Sequence, residues 1–480
     1  MKLLSGMLRG ALPLVSAFTL LSAVVPAASA AGPLALKPVA SSDRHFGVAE
    51  VFRTQQTNLA YDAGVRWSRL TFAEPGLKPG YWNGKDYLPF GYMDQMIGHD
   101  IDMAGMLVGT APQYAQDPAK GPQSLPKGLY LAYNDPGNTW GQFVHQAAQY
   151  YKGRIWHWII WNEPDITPSD PNAAYYTWAG SLDDYYQLLK VAYLNIKDVD
   201  PHLTVGTAGF TYWTDKRAGR RQFFDRMLDL VAADPTAAAN NYYMDFVSLH
   251  LYSDPHALYD VPILYHQLMQ ARGFDKPIWI PETNVIPYDD PVNAGGPLST
   301  PADMRASLGE QASFIIQAYA LGLAAGVDRI EVYKMKDGDN DVINGQALVG
   351  NLPDLRIRPA YVSYQLAAQY FSNAKSASYF KSGDVEEVVF DRGDQRVTVL
   401  WNMSFAPVTV NVRSSGGSAT LLDKFGLAKD MASGPGGYSI ALDPATNATN
   451  PDAPGKAMIG GNPVLLVESG ATAPVGNTLS

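Results

Sequence analysis

Three residues that can exchange protons stand where predicted β-strands stop. Glu163 follows the aromatic stretch RIWHWIIW (154–161), His250 lies near the end of DFVSLHLY (245–252), and Glu282 ends PIWIPE (277–282). A carboxylate at the end of a buried strand costs free energy unless a partner or a reaction uses it. Two carboxyl groups facing each other across a cleft suit the cleavage of an acetal. One, protonated, gives its proton to the leaving oxygen, while the other attacks the anomeric carbon from the opposite side across a gap of about 5–5.5 Å.

Such a pair needs a scaffold that brings distant strands to one rim. Eight strand candidates alternate with helices: 45–52, 65–72, 101–109, 154–161, 203–210, 245–252, 277–282 and 328–335. Most are apolar on both parities, as strands covered on both faces must be. Eight such units predict a closed (β/α)8 TIM barrel over residues 45–375, with function at the carboxyl ends of its strands. The rival, an open doubly wound sheet, would want a Gly-rich loop after the first strand, and the sequence has none there. Strands four and seven of a barrel lie roughly opposite each other, so Glu163 and Glu282 are expected to converge. Arg69 shares strand parity with Trp67 and Thr71 and is expected to point inward and pair with Glu282. Pro281 has no N–H for a sheet, so the seventh strand is expected to be ending there.

Helix signals fill the gaps. Ser181 and Asp184 have capping-box spacing ahead of a helical run to Val199, and Thr300 with Pro301 predicts the start of the helix that stops at Gly326. Pro262 is expected to delay or kink the helix within 257–273. Past residue 375 the texture becomes short alternating strands, which predicts a small C-terminal antiparallel β-sandwich over 376–470 and a loose tail over 471–480.

The chain of 480 residues carries a formal net charge of −10, which argues against a nucleic-acid partner. Lys2, Arg9 and the apolar run 11–25, followed by Ala28 and Ala30, predict a signal peptide over 1–30 cleaved near Ala30, with 31–44 as a linker. The expected location is secreted or periplasmic, with no membrane association beyond export. There is no cysteine, hence no disulfide or thiolate chemistry. DGDNDVING (337–345) alternates acids like a calcium loop but has Val342 and Leu348 where that loop needs Gly and Glu. No histidine pair has zinc spacing, so neither metal nor cofactor is expected.

WNEP (161–164) and IPETN (280–284), together with VRWSRLTF (65–72), MLVGTAPQYAQ (106–116) and DFVSLHLY (245–252), resemble the retaining glycoside hydrolases of clan A, and most of all family 39 and its neighbours. The resemblance covers roughly residues 45–370. It implies that Glu163 is the acid/base, Glu282 the nucleophile, and that Asn162 binds the sugar 2-hydroxyl. It also implies that His250 and Tyr252 touch nucleophile or substrate. Relatives often present a Trp on strand eight, where this chain has Tyr333 or Lys334. The expected activity is hydrolysis of β-glycosidic bonds of an oligo- or polysaccharide by double displacement, without a cofactor. A sugar-binding protein on a dead barrel, and a transglycosylase using the same residues, are the alternatives.

Overall fold

Eight parallel strands close on themselves in the order expected of a TIM barrel. They are β1 (Phe46–Val48), β2 (Trp67–Phe72), β3 (Asp102–Leu107), β4 (His157–Ile160), β5 (Thr204–Phe210), β6 (Phe246–His250), β7 (Ile278–Thr283) and, after the two-residue strands β8 (Ile286–Pro287) and β9 (Arg305–Ala306), β10 (Arg329–Val332). Around them run α1 (Thr54–Ala63), α2 (Phe90–Gly98), α3 (Thr139–Tyr150), α4 (Leu182–Val199), α5 (Trp213–Arg217), α6 (Phe223–Ala233), α7 (Ala257–Gln270), α8 (Leu308–Ala324) and α9 (Pro359–Phe371). This computed structural model describes residues 38–51, 54–72, 90–169, 176–291, 305–337, 345–350, 355–415, 418–448, 450, 453–470 and 478–479. The predicted leader, the start of the linker, most of the tail, the segment around Thr300 and Pro301, and most of the acidic loop 337–345 lie outside the described residues. No helix among the described residues is long and apolar enough to cross a membrane.

The barrel interior is stacked in layers. At the amino-terminal end Arg329 Nη1 and His157 Nε2 both reach Asp102 Oδ2, at 2.8 and 2.9 Å. Above them Trp67, Ala104, Met106, Ile159, Phe246 and Trp279 form an apolar plug. Phe246 stacks on Trp279 with ring centroids 3.9 Å apart. A β-carbon at Gly47 would collide with Trp67, and one at Gly206 with Phe246, so small residues opposite large ones let this layer close. The next layer up is polar and carries the candidate site.

Three local expectations are corrected. The first strand ends at Val48 rather than running to residue 52, because Glu50 has a left-handed backbone, φ 61°, which no ladder accommodates. The seventh strand does not end at Pro281. Its register slips by one residue there against both neighbours, from Ser248↔Trp279 to His250↔Glu282 and from Ile330↔Ile280 to Val332↔Thr283. Pro281 is the extra residue of a bulge, a place where a missing N–H is tolerated. The helix expected to stop at Gly326 is α8, which begins at Leu308, because Ser307 and Glu310 form a complete capping box. The capping box of Ser181 and Asp184 is present at α4, and α7 runs on through Pro262.

The C-terminal strands are β11 (Ser376–Ser382), β12 (Val385–Asp391), β13 (Gln395–Asn402), β14 (Val408–Val412), β15 (Ser418–Asp423), β16 (Ala428–Met431), β17 (Tyr438–Leu442) and β18 (Val464–Ser469). Six form an antiparallel sheet, β11-β12-β13-β18-β15-β16, and β14 pairs with β17. One face of the large sheet (Val385, Leu400, Leu466) packs on Val412, Tyr438 and Ile440 of the small one. The other face (Val388, Phe390, Val399, Trp401) joins the core of the barrel's helices, where Phe390 stacks on Phe371 of α9 at 4.5 Å. Residues 36–480 are accordingly one compact unit. His256, at the start of α7, reaches the buried Glu386 of β12 at 2.8 Å.

Candidate active site

The bulge at Pro281 decides where Glu282 points. Trp279 faces the barrel interior, while Ile278 and Ile280 pack outward against the helices. Strict alternation would send residue 282 outward as well. The extra residue flips the parity and turns the Glu282 carboxylate inward, where Arg69 Nη2 meets Oε1 at 2.7 Å and the Tyr252 hydroxyl donates to Oε2 at 2.6 Å. Arg69 is regular β2, in unbroken register with β3, and its side chain is 1% exposed.

Glu163 arrives by a different route. β4 ends at Ile160, and both Trp161 and Glu163 then take left-handed backbones, φ 75° and 46°. Such conformations persist only where the surroundings over-determine them. Trp161 is clamped between Trp140 and Trp178, at 6.0 and 4.9 Å. The Glu163 N–H donates to Gly209 O at 3.2 Å, and its carbonyl accepts from the Thr177 hydroxyl. Two residues on, Asp165 is buried and accepts from the Thr211 N–H and hydroxyl at 2.8 and 2.7 Å, which ties this loop to the end of β5.

His250 joins the two carboxylates. Its Nδ1 lies 2.9 Å from Glu163 Oε1 and 3.5 Å from Glu282 Oε2, and its Nε2 lies 3.4 Å from Arg69 Nη1. A guanidinium only donates, so Nε2 accepts and the ring proton sits on Nδ1, directed at Glu163. One atom each of Glu163, His250 and Glu282 lie within 4.8 Å of one another, a spacing a cation could also bridge. The donor set fits that poorly, since Nδ1 holds a proton and Glu282 already faces a permanent cation.

The partners of the two carboxylates differ in kind. Burial pushes the Glu282 carboxyl up, but His250, the Arg69 guanidinium and the Tyr252 hydroxyl outweigh it and hold the group below the ordinary carboxylate value. Burial and the Glu282 charge together raise the Tyr252 hydroxyl well above its ordinary value, so it remains a donor. Glu163, with a side chain 13% exposed, has the single imidazole N–H as its side-chain partner in these contacts.

Of the other expected residues, Asn162 bridges to Gly209 beside the two acids, and its Oδ1 is buried without a protein partner. Tyr333 follows β10 and is fixed through its main chain. Its N–H donates to Thr283 O at 3.1 Å, and its carbonyl accepts from Asn284 Nδ2 at 2.9 Å. The Tyr333–Lys334 peptide is cis, and Lys334 Nζ lies 3.8 Å from Glu50.

Glu331 is a third buried carboxyl that sequence reasoning passed over. β1 stops too early to pair with Arg69, and Glu331, reaching across from β10, accepts the Arg69 main-chain N–H on Oε1 at 2.7 Å. Its Oε2 is buried without a partner, and burial, opposed by Arg69, pushes the group up to about 8. The signal was present: between outward-facing Ile330 and Val332, residue 331 has to point inward. Its folded-state value lies above the ordinary 4.5, so the unfolded chain releases a proton that the folded chain keeps. Stability from this group is therefore full below pH 4.5, falls as pH rises toward about 8, and is level beyond. Glu331→Gln keeps the acceptor and removes the ionisation. Scanning calorimetry is expected to show a midpoint raised by roughly 2 °C or more at pH 8 and unchanged at pH 4.

No family model matches the chain. A β-xylosidase of Caldicellulosiruptor saccharolyticus is 30% identical over 100 residues, a match that spans 18% of this chain and 19% of that protein. Among solved structures, a family 39 glycoside hydrolase from Bacteroides cellulosilyticus superimposes with a TM-score of 0.64 at 15% identity, over 89% of this chain and 81% of that one. A family 30 endoxylanase from Clostridium papyrosolvens gives 0.59 at 15% identity, over 90% and 98%. A monomeric β-xylosidase from Caulobacter crescentus gives 0.53 at 14% identity, over 91% and 98%. At these identities the likeness is one of architecture, and the barrel with its appended sheet is the fold of these glycoside hydrolases.

Proposed function

We propose that the protein is a retaining β-glycosidase, exported by the leader at residues 1–30, with Glu282 as nucleophile and Glu163 as acid/base. The observation that carries this reading is the unequal treatment of two carboxylates whose oxygens lie within 4.8 Å. That separation suits direct attack, since a pair that must admit a water between its members stands about 6.5–9.5 Å apart. Environments that drive two acids apart in proton affinity assign their roles. Arg69 and Tyr252 stabilise charge on Glu282, which suits the nucleophile, and Glu163, which meets neither of them, takes the acid/base role.

In the first step Glu163 gives its proton to the glycosidic oxygen while Glu282 attacks the anomeric carbon. The bond to the leaving group breaks and a glycosyl ester forms. Glu282 thereby loses its charge. In the second step Glu163 takes a proton from water, the resulting hydroxide attacks the same carbon, and Glu282 leaves as a carboxylate. The buried amide of Asn162 binds the 2-hydroxyl of the ring being transferred. The chain's own residues suffice for both steps.

Two of the similar proteins are β-xylosidases and one is an endoxylanase, which puts aryl β-xyloside first in a panel of aryl β-glycosides. Release of phenol, with the β-anomer as first-formed sugar by proton NMR, is the expected result. An α-anomer would exclude double displacement. Binding of polysaccharide without turnover on any member would favour the sugar-binding alternative, and transfer to added alcohol in place of water the transglycosylase.

A further inference from the structure

A groove lies at the barrel rim beside the strand that leads to Glu163. It encloses about 210 Å³ between the loop after β3 and the first turns of α3, and is lined by Tyr114, Pro136, Thr139, Gln142, Phe143 and Gln146. A smaller recess adjoins it, shares Tyr114, Thr139 and Phe143, and has Trp140 in its wall. None of these side chains carries a charge. Tyr114 is 41% exposed, and Gln146 is exposed on the same lining. Gln142 donates an amide N–H to Asp135 O at 3.3 Å and Thr139 its hydroxyl proton to Lys127 O at 2.9 Å, and the oxygen of each can still accept on a residue that lines the groove.

The geometry points to a second carbohydrate site here, one that holds a single unit of an uncharged polysaccharide on the leaving-group side of the catalytic pair. A pyranose offers a C–H face that packs on an aromatic ring and an edge of hydroxyls that pair with amides and hydroxyls, and this lining supplies both. With no charged side chain, the groove has nothing to recognise a phosphate or an acidic sugar. Its volume is below the ~300–1,000 Å³ of sites for drug-sized ligands, which matches one sugar rather than an oligosaccharide. Position selects the occupant. β3 pairs with β4 up to Leu107↔Ile160, so their loops are neighbours on the rim. Trp140 packs on Trp161, the residue immediately before Asn162 and Glu163. A chain that leaves the cleft past Glu163, the proton donor to the leaving group, crosses this groove next. The assignment of that side rests on the proposed function; the sugar chemistry of the groove does not.

Holding a distant unit raises the local concentration of the scissile bond without touching the reacting atoms, so it lowers KM for polymer alone. Tyr114→Ala tests this against aryl β-xyloside and arabinoxylan, with native-gel retardation by arabinoxylan, mixed-linkage β-glucan and galactomannan read in parallel. The ratio of polymer KM to aryl-xyloside KM is expected to rise about three- to tenfold, the value of one aromatic contact, with retardation weakened to match. Trp156→Ala, an exposed aromatic at the opposite end of β4, controls for loss of any surface ring and should keep full retardation. An unchanged KM ratio with unchanged retardation overturns the proposal, as does equal loss in Trp156→Ala, or no retardation of the wild type by any of the three polymers. If the wild type turns over no glycoside yet is retarded, and Tyr114→Ala is not, the glycosidase reading fails and the groove stands.

Discussion

Glu282→Gln is expected to lower kcat on aryl β-glycosides by roughly ten-thousand-fold or more, the scale at which removing a nucleophile stops covalent catalysis. Glu163→Gln should behave differently. A leaving group that departs without a proton does not need the acid, so the loss should shrink to roughly a hundredfold or less with dinitrophenyl glycosides and be far larger with alkyl ones. In Glu163→Gln the second step lacks its base, so a small anionic nucleophile such as azide should restore turnover and give a β-glycosyl azide. The same azide given to Glu282→Gln should do nothing of the kind. The contrast between the variants, read by steady-state rates and product NMR, is the test. Equal losses on good and poor leaving groups would mean the roles are wrong, and full activity in both would remove this pair from the chemistry.

Gly209→Ala should produce a large loss without touching an ionisable group. A β-carbon on Gly209 would sit well inside contact distance of the His250 imidazole. The ring cannot retreat, since its Nε2 faces Arg69 and its Nδ1 faces both carboxylates. It must swing out, and the N–H that sets the distance between Glu163 and Glu282 goes with it. A displacement of about 1 Å in such a site costs roughly a hundredfold in rate, and forcing an atom into a packed core costs about 1–3 kcal/mol of stability. Adding His250→Ala to Gly209→Ala makes room for the methyl group. The double variant is expected to regain stability over Gly209→Ala but not rate, a non-additivity that thermal midpoints and kcat/KM measure separately.

How much of this was legible in the sequence depends on where the backbone stays regular. β2 keeps one register with β3 over six residues, so parity alone pointed Arg69 inward and toward Glu282. The barrel itself was legible as eight apolar runs punctuated by helix caps. Glu282 could be found as a strand-end acid, but its inward aim depends on a bulge, and alternation read from the sequence puts it on the wrong face. Gly209 was illegible for the same reason: β5 slips in register between Gly206 and Gly209, and only the slip brings it against His250. Glu163 leaves regular structure altogether at Trp161, so its aim is set by a cage of three tryptophans that no periodicity announces. Glu331 was readable from parity, between the apolar Ile330 and Val332, but it lies inside a strand and not at the strand end where barrel chemistry gathers.

The closure of the cylinder is uneven, and this has a kinetic consequence. β1 and β2 share one register pair, Gly47↔Trp67, where β2 and β3 share six. Around that pair the join is held by the Arg66 N–H on Phe46 O at 2.9 Å, the Glu50 N–H on Arg69 O at 3.2 Å, the Val51 N–H on Ser68 Oγ at 3.3 Å and by Glu331 on the Arg69 N–H. On warming, the wall should part along this line first, because the fewest ladder pairs resist there. Arg69 stands on it, so the first crack takes the guanidinium away from Glu282. Deuterium uptake at the Glu50 and Arg69 amides should therefore quicken, and turnover fail, several degrees before the helical circular dichroism changes.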